Sequence, residues 1–179
     1  RNGYGPSIFK ELDTAINDFS LEAVFDTRTD LREENFRMEL YLFDEGMNKL
    51  GKIGIRDRLR NFHNRGALAR VGEYVDSSTR YKIGQNNYDY NELGKSSMFF
   101  FRWERRGLRH TFYVSEIVNG EHVNSLYEYY TDRGQEWTGK VKYIQLYIRT
   151  YKGRRDPYLA RFNSIRLFEL NTDVEDKTP

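Results

Sequence analysis

The chain has 179 residues, enough for one well-filled domain. Its 29 basic residues nearly balance 27 acidic ones, leaving +2, which argues against nucleic acid as a partner. Unbroken apolar runs such as Met98 to Phe101 fall far short of the roughly 20 residues a membrane helix needs, so no membrane insertion is expected, and the lack of cysteine excludes disulfides and thiolate metal sites. Aromatic residues make up 16%, with 14 Tyr and 12 Phe against three Pro, a composition suited to half-buried pleated surfaces.

The chain opens on Arg1 without an initiator Met or a signal-peptide pattern and is read as a piece of a longer protein. Residues 1–17 form a lead-in that starts with the turn residues Gly3-Tyr4-Gly5-Pro6, and Ser7 to Leu12 adds a short edge strand. Asp18 to Asp26 alternates, with Phe19, Leu21, Ala23 and Phe25 on one side, which predicts a strand with one buried face. Thr27 to Asn35 is polar, and Asp30 with Glu33 resembles a capping box for one helical turn. Phe36 to Asp44 and Lys49 to Arg56 form a hairpin around Glu45-Gly46-Met47-Asn48. Arg56 to Arg70 reads as a basic loop, Leu68 to Val75 as a strand, and Asp76 to Ser97 as a long polar crossing on the outside of the fold.

Met98 to Ile117 is the organising hairpin. Phe99, Phe101 and Trp103 share a face, as do Phe112 and Val114. A turn centred on Arg106-Gly107 sets Phe101 opposite Phe112, Phe99 opposite Val114, Trp103 opposite His110 and Glu104 opposite Arg109. Asn119-Gly120 marks the next turn, and Glu121 to Tyr130, Lys140 to Tyr151 and Leu159 to Leu170 complete the strands, with Ile144, Leu146 and Ile148 facing inward. About nine strands with almost no helix predict an all-β fold, an antiparallel two-sheet β-sandwich of the jelly-roll or galectin-like kind, over residues 18–170, followed by a tail at 171–179.

Catalytic chemistry is hard to find. Paired acids of a sandwich glucan hydrolase stand as Glu-x-Asp followed by a third acid, and Glu11-Leu12-Asp13 lacks the third. His63, His110 and His122 are far apart, and His110 reads as packed against Trp103 rather than as a ligand. The cluster Asn86, Asn87, Asp89, Asn91 has oxygen donors for calcium but reads as a turn. No catalytic residue, metal or cofactor is therefore expected. The clusters Arg102, Arg105, Arg106, Arg109 and Arg149, Arg154, Arg155, interleaved with acids, read as solvated faces. Trp137, Tyr127, Tyr129 and Tyr130 are the candidate contacts, a stacking platform for sugar rings or an interface with another protein.

Several short segments carry a family resemblance. Gly3 to Ile8, Asp18-Phe19-Ser20-Leu21, Arg37 to Asp44 with Lys52-Ile53-Gly54, and Ala160 to Ile165 resemble the galectin-like or carbohydrate-module-like sandwich carried C-terminal to the ring-forming part of siphophage and prophage distal tail proteins. The resemblance implies a non-enzymatic structural module at a phage tail tip, contacting other tail proteins and reaching a homo-oligomer through a preceding ring-forming region. It also implies location in the virion, with assembly in the host cytoplasm. The alternative is a carbohydrate-binding module for host cell-wall polysaccharide. His63-Asn64-Arg65 and Trp103-Glu104-Arg105-Arg106 only echo the galectin sugar-binding strands, so lactose binding of that type is not implied.

Overall fold

Strict alternation of large apolar and polar residues is what the backbone obeys almost throughout. The computed structural model describes residues 7–26, 35–56, 66–71, 98–131, 139–151 and 161–171. They form ten strands: β1 (Ser7–Ile16), β2 (Phe19–Asp26), β3 (Asn35–Phe43), β4 (Lys49–Arg56), β5 (Gly66–Val71), β6 (Met98–Arg106), β7 (Arg109–Val118), β8 (Glu121–Thr131), β9 (Val141–Tyr151) and β10 (Arg161–Glu169). Two five-stranded antiparallel sheets result, in the orders β1-β9-β3-β4-β5 and β10-β2-β6-β7-β8. The expected sandwich is the fold.

The core lies between the sheets. Phe19, Leu21 and Phe25 of β2 and Phe101, Trp103 and Phe112 of the β6–β7 hairpin face Met38, Leu40 and Leu42 of β3 and Ile53 of β4, each at most 1% exposed. Full burial of such a side chain is worth about 1.5–3 kcal/mol. Edge-to-face pairs, Phe25 with Phe101 at 4.9 Å and Phe19 with Trp103 at 5.3 Å, add directional preference to the packing. Phe99, Phe101, Phe112, Val114 and Ile144 are buried as expected, while Leu146 and Ile148 are partly buried against the same core.

The central hairpin keeps its expected faces but not its expected register. Phe101 lies opposite Val114, Trp103 opposite Phe112, Phe99 opposite Glu116 and Glu104 opposite Thr111. The slip from expectation is two residues, which preserves every side chain's face, so the hydrophobic pattern is equally content with both registers. Turn chemistry decides between them. The two-residue turn is Gly107-Leu108 with φ +56° at Gly107, the II′ pattern that needs glycine in its first central position. Asn119 and Gly120, with φ of 52° and 84°, form a type I′ turn into β8.

Arg105 also departs from expectation, being buried rather than part of a solvated face. Its guanidinium lies 3.7 Å from the Asp18 carboxylate and donates to the Asn17 backbone and side-chain oxygens. Asp18 also accepts from the Gly107 amide at 2.9 Å. The corner between β1 and β2 is thus tied to the β6–β7 turn. His110 is a packed histidine, fully buried and accepting from Trp103 Nε1 at 3.0 Å through Nδ1. The edge strand expected over Ser7 to Leu12 runs on to Ile16, and Lys142 of β9 donates to the Leu12 carbonyl where β1 bulges. The helical turn expected within Thr27 to Asn35, apart from Asn35 at the start of β3, and the polar crossing at 76–97 lie outside the described residues. So does 57–65 of the basic loop expected over Arg56 to Arg70. The rest of that stretch is not loop. Arg56 ends β4, and β5 starts at Gly66, two residues before the strand expected from Leu68, because its backbone pairs with β4 from Gly66 opposite Arg56 onward.

Candidate functional site

Because Met38, Leu40 and Leu42 of β3 face the core, Glu39, Tyr41 and Phe43 must face out. The same holds for β9, where Ile144, Leu146 and Ile148 turn inward and Tyr143, Gln145 and Tyr147 outward. The ladder between β3 and β9 sets Glu39 beside Tyr147, Tyr41 beside Gln145 and Phe43 beside Tyr143. On the far side of β9, β1 places Phe9 opposite Gln145. On the far side of β3, β4 places Lys52 opposite Tyr41 and Gly54 opposite Glu39.

Five aromatic side chains, Phe9, Tyr41, Phe43, Tyr143 and Tyr147, therefore share the outer face of one sheet. Ring centroids of Phe9 and Phe43 are 5.7 Å apart, Tyr41 and Phe43 6.2 Å, Tyr41 and Tyr147 6.3 Å. Phe9 is 47% exposed, so the cluster meets solvent at the β1 edge. Lys49 Nζ stands 4.6 Å and Lys52 Nζ 5.1 Å from the Tyr41 ring centroid, each within cation–π range.

At the centre is a carboxylate removed from water. Glu39 is fully buried although it is on the outer side of its strand, and it accepts from Lys52 Nζ at 2.6 Å and from the Tyr41 hydroxyl at 2.5 Å. Gly54 makes room for it. A Cβ there would press into the Met38 carbonyl oxygen and come within 2.9 Å of Glu39 Cα. The triad Glu39–Lys52–Tyr41 fixes the rotamers of one platform ring and one cation, which lowers the ordering cost of any ligand that uses them. Flat apolar ring faces beside oriented hydroxyl, amide and ammonium groups suit a ligand with both C–H faces and hydroxyl edges.

The opposite outer face is built differently. Phe100, Tyr113 and His122 cluster on the β6–β7–β8 sheet, with Phe100 and His122 centroids 5.0 Å apart. Ser115 Oγ is 2.6 Å from His122 Nδ1, and Ser115 is only 1% exposed. Arg102 lies 5.4 Å from the Tyr113 ring and 3.7 Å from Glu104. Among the described residues no group of His, Asp and Glu converges in a way that would hold a metal ion. A cleft of about 530 Å³ lies beside the β3–β4 turn, lined by Thr14, Ala15, Asp44, Gly46, Gly139 and Lys140. Of its two carboxylates, Asp44 and Glu45, Asp44 accepts from the Asn48 amide and side chain at 2.8 and 2.9 Å.

Known structures share this architecture. The chain is similar to the CBM2 module of the evolved Dit of Lactobacillus casei BL23 phage J-1, with a TM-score of 0.60 and 14% identity over 83% of this chain and 62% of that one. It is also similar to alginate lyases from Klebsiella pneumoniae, TM-score 0.52, 13% identity, 85% and 60% coverage, and Pseudomonas aeruginosa, TM-score 0.51, 16% identity, 86% and 65% coverage. The chain thus spans less than two thirds of the length of each, and at these identities the likeness is one of fold. Neither a family model nor a curated sequence relative matches the chain.

Of the residues singled out from sequence, Trp137 lies outside the described residues. Tyr127, Tyr129 and Tyr130 are on β8, in register with Tyr113, Thr111 and His110. All three belong to the sheet opposite the aromatic platform. The platform itself had a visible signal, the complementary series Glu39-Tyr41-Phe43 and Tyr143-Gln145-Tyr147, but it gains meaning only once β3 and β9 are known to be neighbours.

Proposed function

We propose that this domain is a glycan-binding β-sandwich module of a phage tail protein, which holds its ligand on the outer face of the β1-β9-β3-β4-β5 sheet and does not cleave it. The observation that carries the reading is the platform of Phe9, Tyr41, Phe43, Tyr143 and Tyr147 around the clamped Glu39–Lys52 pair. The fold likeness to the CBM2 module of a phage Dit supports it, as does the resemblance of the sequence to tail-protein modules. Binding without cleavage is supported by the state of the central carboxylate, which is already engaged by a lysine and a phenol. The tail role places the protein in the virion at the tail tip, beside other tail proteins.

Affinity electrophoresis of the domain against wall polysaccharides from bacterial hosts tests the reading. Retardation is expected, with Tyr41→Ala and Tyr147→Ala each weakening it about tenfold or more, on a scale of ~1–3 kcal/mol per lost stacking contact. Tyr113→Ala, on the opposite sheet, is expected to leave it unchanged. Equal loss from Tyr113→Ala, retardation by no polysaccharide, or release of shortened polymer during incubation would each contradict the proposal.

A further inference from the structure

One end of the sandwich gathers exposed apolar side chains. The β3–β4 turn, the β1–β2 corner and the β6–β7 turn meet there, since Gly107 donates to Asp18 and Ile16 pairs with Val141, two residues from Tyr143, the partner of Phe43. Of the six large hydrophobics exposed among the described residues, Met47, at 49%, and Leu108, at 50%, are the tips of two of these turns. Phe168, at 47%, lies two residues before Leu170, whose amide bonds the same corner. Exposed apolar groups collected in one place mark an interaction surface. We infer that this end is an interface and that its occupant is a second copy of this chain, in a two-fold, end-to-end pair. Such pairing goes beyond glycan binding and is independent of it.

Met47 occupies a strained position. Its amide donates to the Asp44 carbonyl at 3.1 Å, and the Asp44 amide to the Asn48 carbonyl at 3.0 Å, which closes a three-residue loop over Glu45, Gly46 and Met47. The last position of such a loop is left-handed and is ordinarily glycine. Here Met47 takes it, with φ +62°, while the glycine stands one place earlier. Methionine has no short polar side chain to ease that conformation, so the turn gives up stability to hold an apolar side chain out in solvent. Beside it is the 530 Å³ cleft, whose wall includes Ala15, Glu45, Gly46, Gly139 and Lys140. Knob and hole adjoin on one copy, so a two-fold can seat each Met47 in the other copy's cleft, as an isologous contact requires. The charges suit the same occupant. Glu45 and Lys140 are both exposed and neither is held in an ion pair among the described residues. A strongly acidic or basic partner would meet one of them as a like charge. Entry of the Met47 loop into the cleft of a second copy instead carries Glu45 to the Lys140 there.

Sedimentation velocity and light scattering on the whole chain, over a wide range of concentration, test the pairing. A reversible monomer–dimer equilibrium is expected. Met47→Gly should weaken it by about tenfold or more, as truncation of a central interface residue does. The same change should raise the melting temperature, since glycine is unstrained at φ +62°. A purely structural residue would not move association and stability in opposite directions. Glu45→Lys and Lys140→Glu should each weaken association several-fold through like-charge contact, and the double exchange should restore it. Tyr113→Ala, on an outer face, should leave association unchanged, and thermal melting shows that each variant folds. A chain that stays monomeric at every concentration, or a dimer that Met47→Gly leaves intact, would overturn the inference. So would growth beyond the dimer, which a two-fold contact forbids, or a double exchange that fails to recover what the single changes lose.

Discussion

The two outer faces of this sandwich come from strands of similar length, yet they hold their carboxylates differently. On the β10-β2-β6-β7-β8 sheet the cross-strand row Arg166–Glu22–Arg102 alternates in sign, and Arg161 pairs with Asp26 at 3.0 Å. On the β1-β9-β3-β4-β5 sheet the central acid, Glu39, is fully buried and held by a lysine and a tyrosine. Alternation satisfies a surface from within. Burial instead locks one acid beneath the surface, on the face where aromatic rings cluster.

Substitutions can break this contrast, and the largest expected effect is at its centre. Glu39→Ala strands Lys52, only 14% exposed, without its carboxylate, and should cost about 3–5 kcal/mol in a denaturant titration. Gly54→Ala comes next. Its methyl has to displace β3 backbone at Glu39, with an expected loss of about 1–3 kcal/mol. Glu104→Ala removes the exposed pair with Arg102 on the other face and should change stability by less than about 1 kcal/mol. Should Glu104→Ala prove as damaging as Glu39→Ala, the contrast between the faces would be lost.

How far the sequence spoke for itself depends on the range of the interaction. The interior was legible because alternation is local, and Phe99, Phe101, Phe112, Val114 and Ile144 are where the period-two pattern puts them. The hairpin register was not, since a two-residue slip keeps every face and only the glycine requirement of a II′ turn distinguishes the alternatives. Arg105 looked like one of four surface arginines. Its burial depends on Asn17 and Asp18, nearly ninety positions away in the chain. The aromatic platform was hidden for the same reason, because Tyr41 and Tyr147 meet only through the pairing of β3 with β9.

The corner at Asp18 also determines how the domain would bear a load. Leu170 donates its amide to the Asp18 carbonyl at 2.9 Å, so the end of β10 is held where β1 finishes. Ser7 is at the other end of β1, a ten-residue strand and hence about 33 Å away. A pull applied between these two points is directed along β1 rather than across it. The bonds joining β1 to β9 then carry the force in shear, all together, where a perpendicular pull would open them one at a time like a zipper. A domain gripped at these points should therefore resist extension through the length of its edge strand.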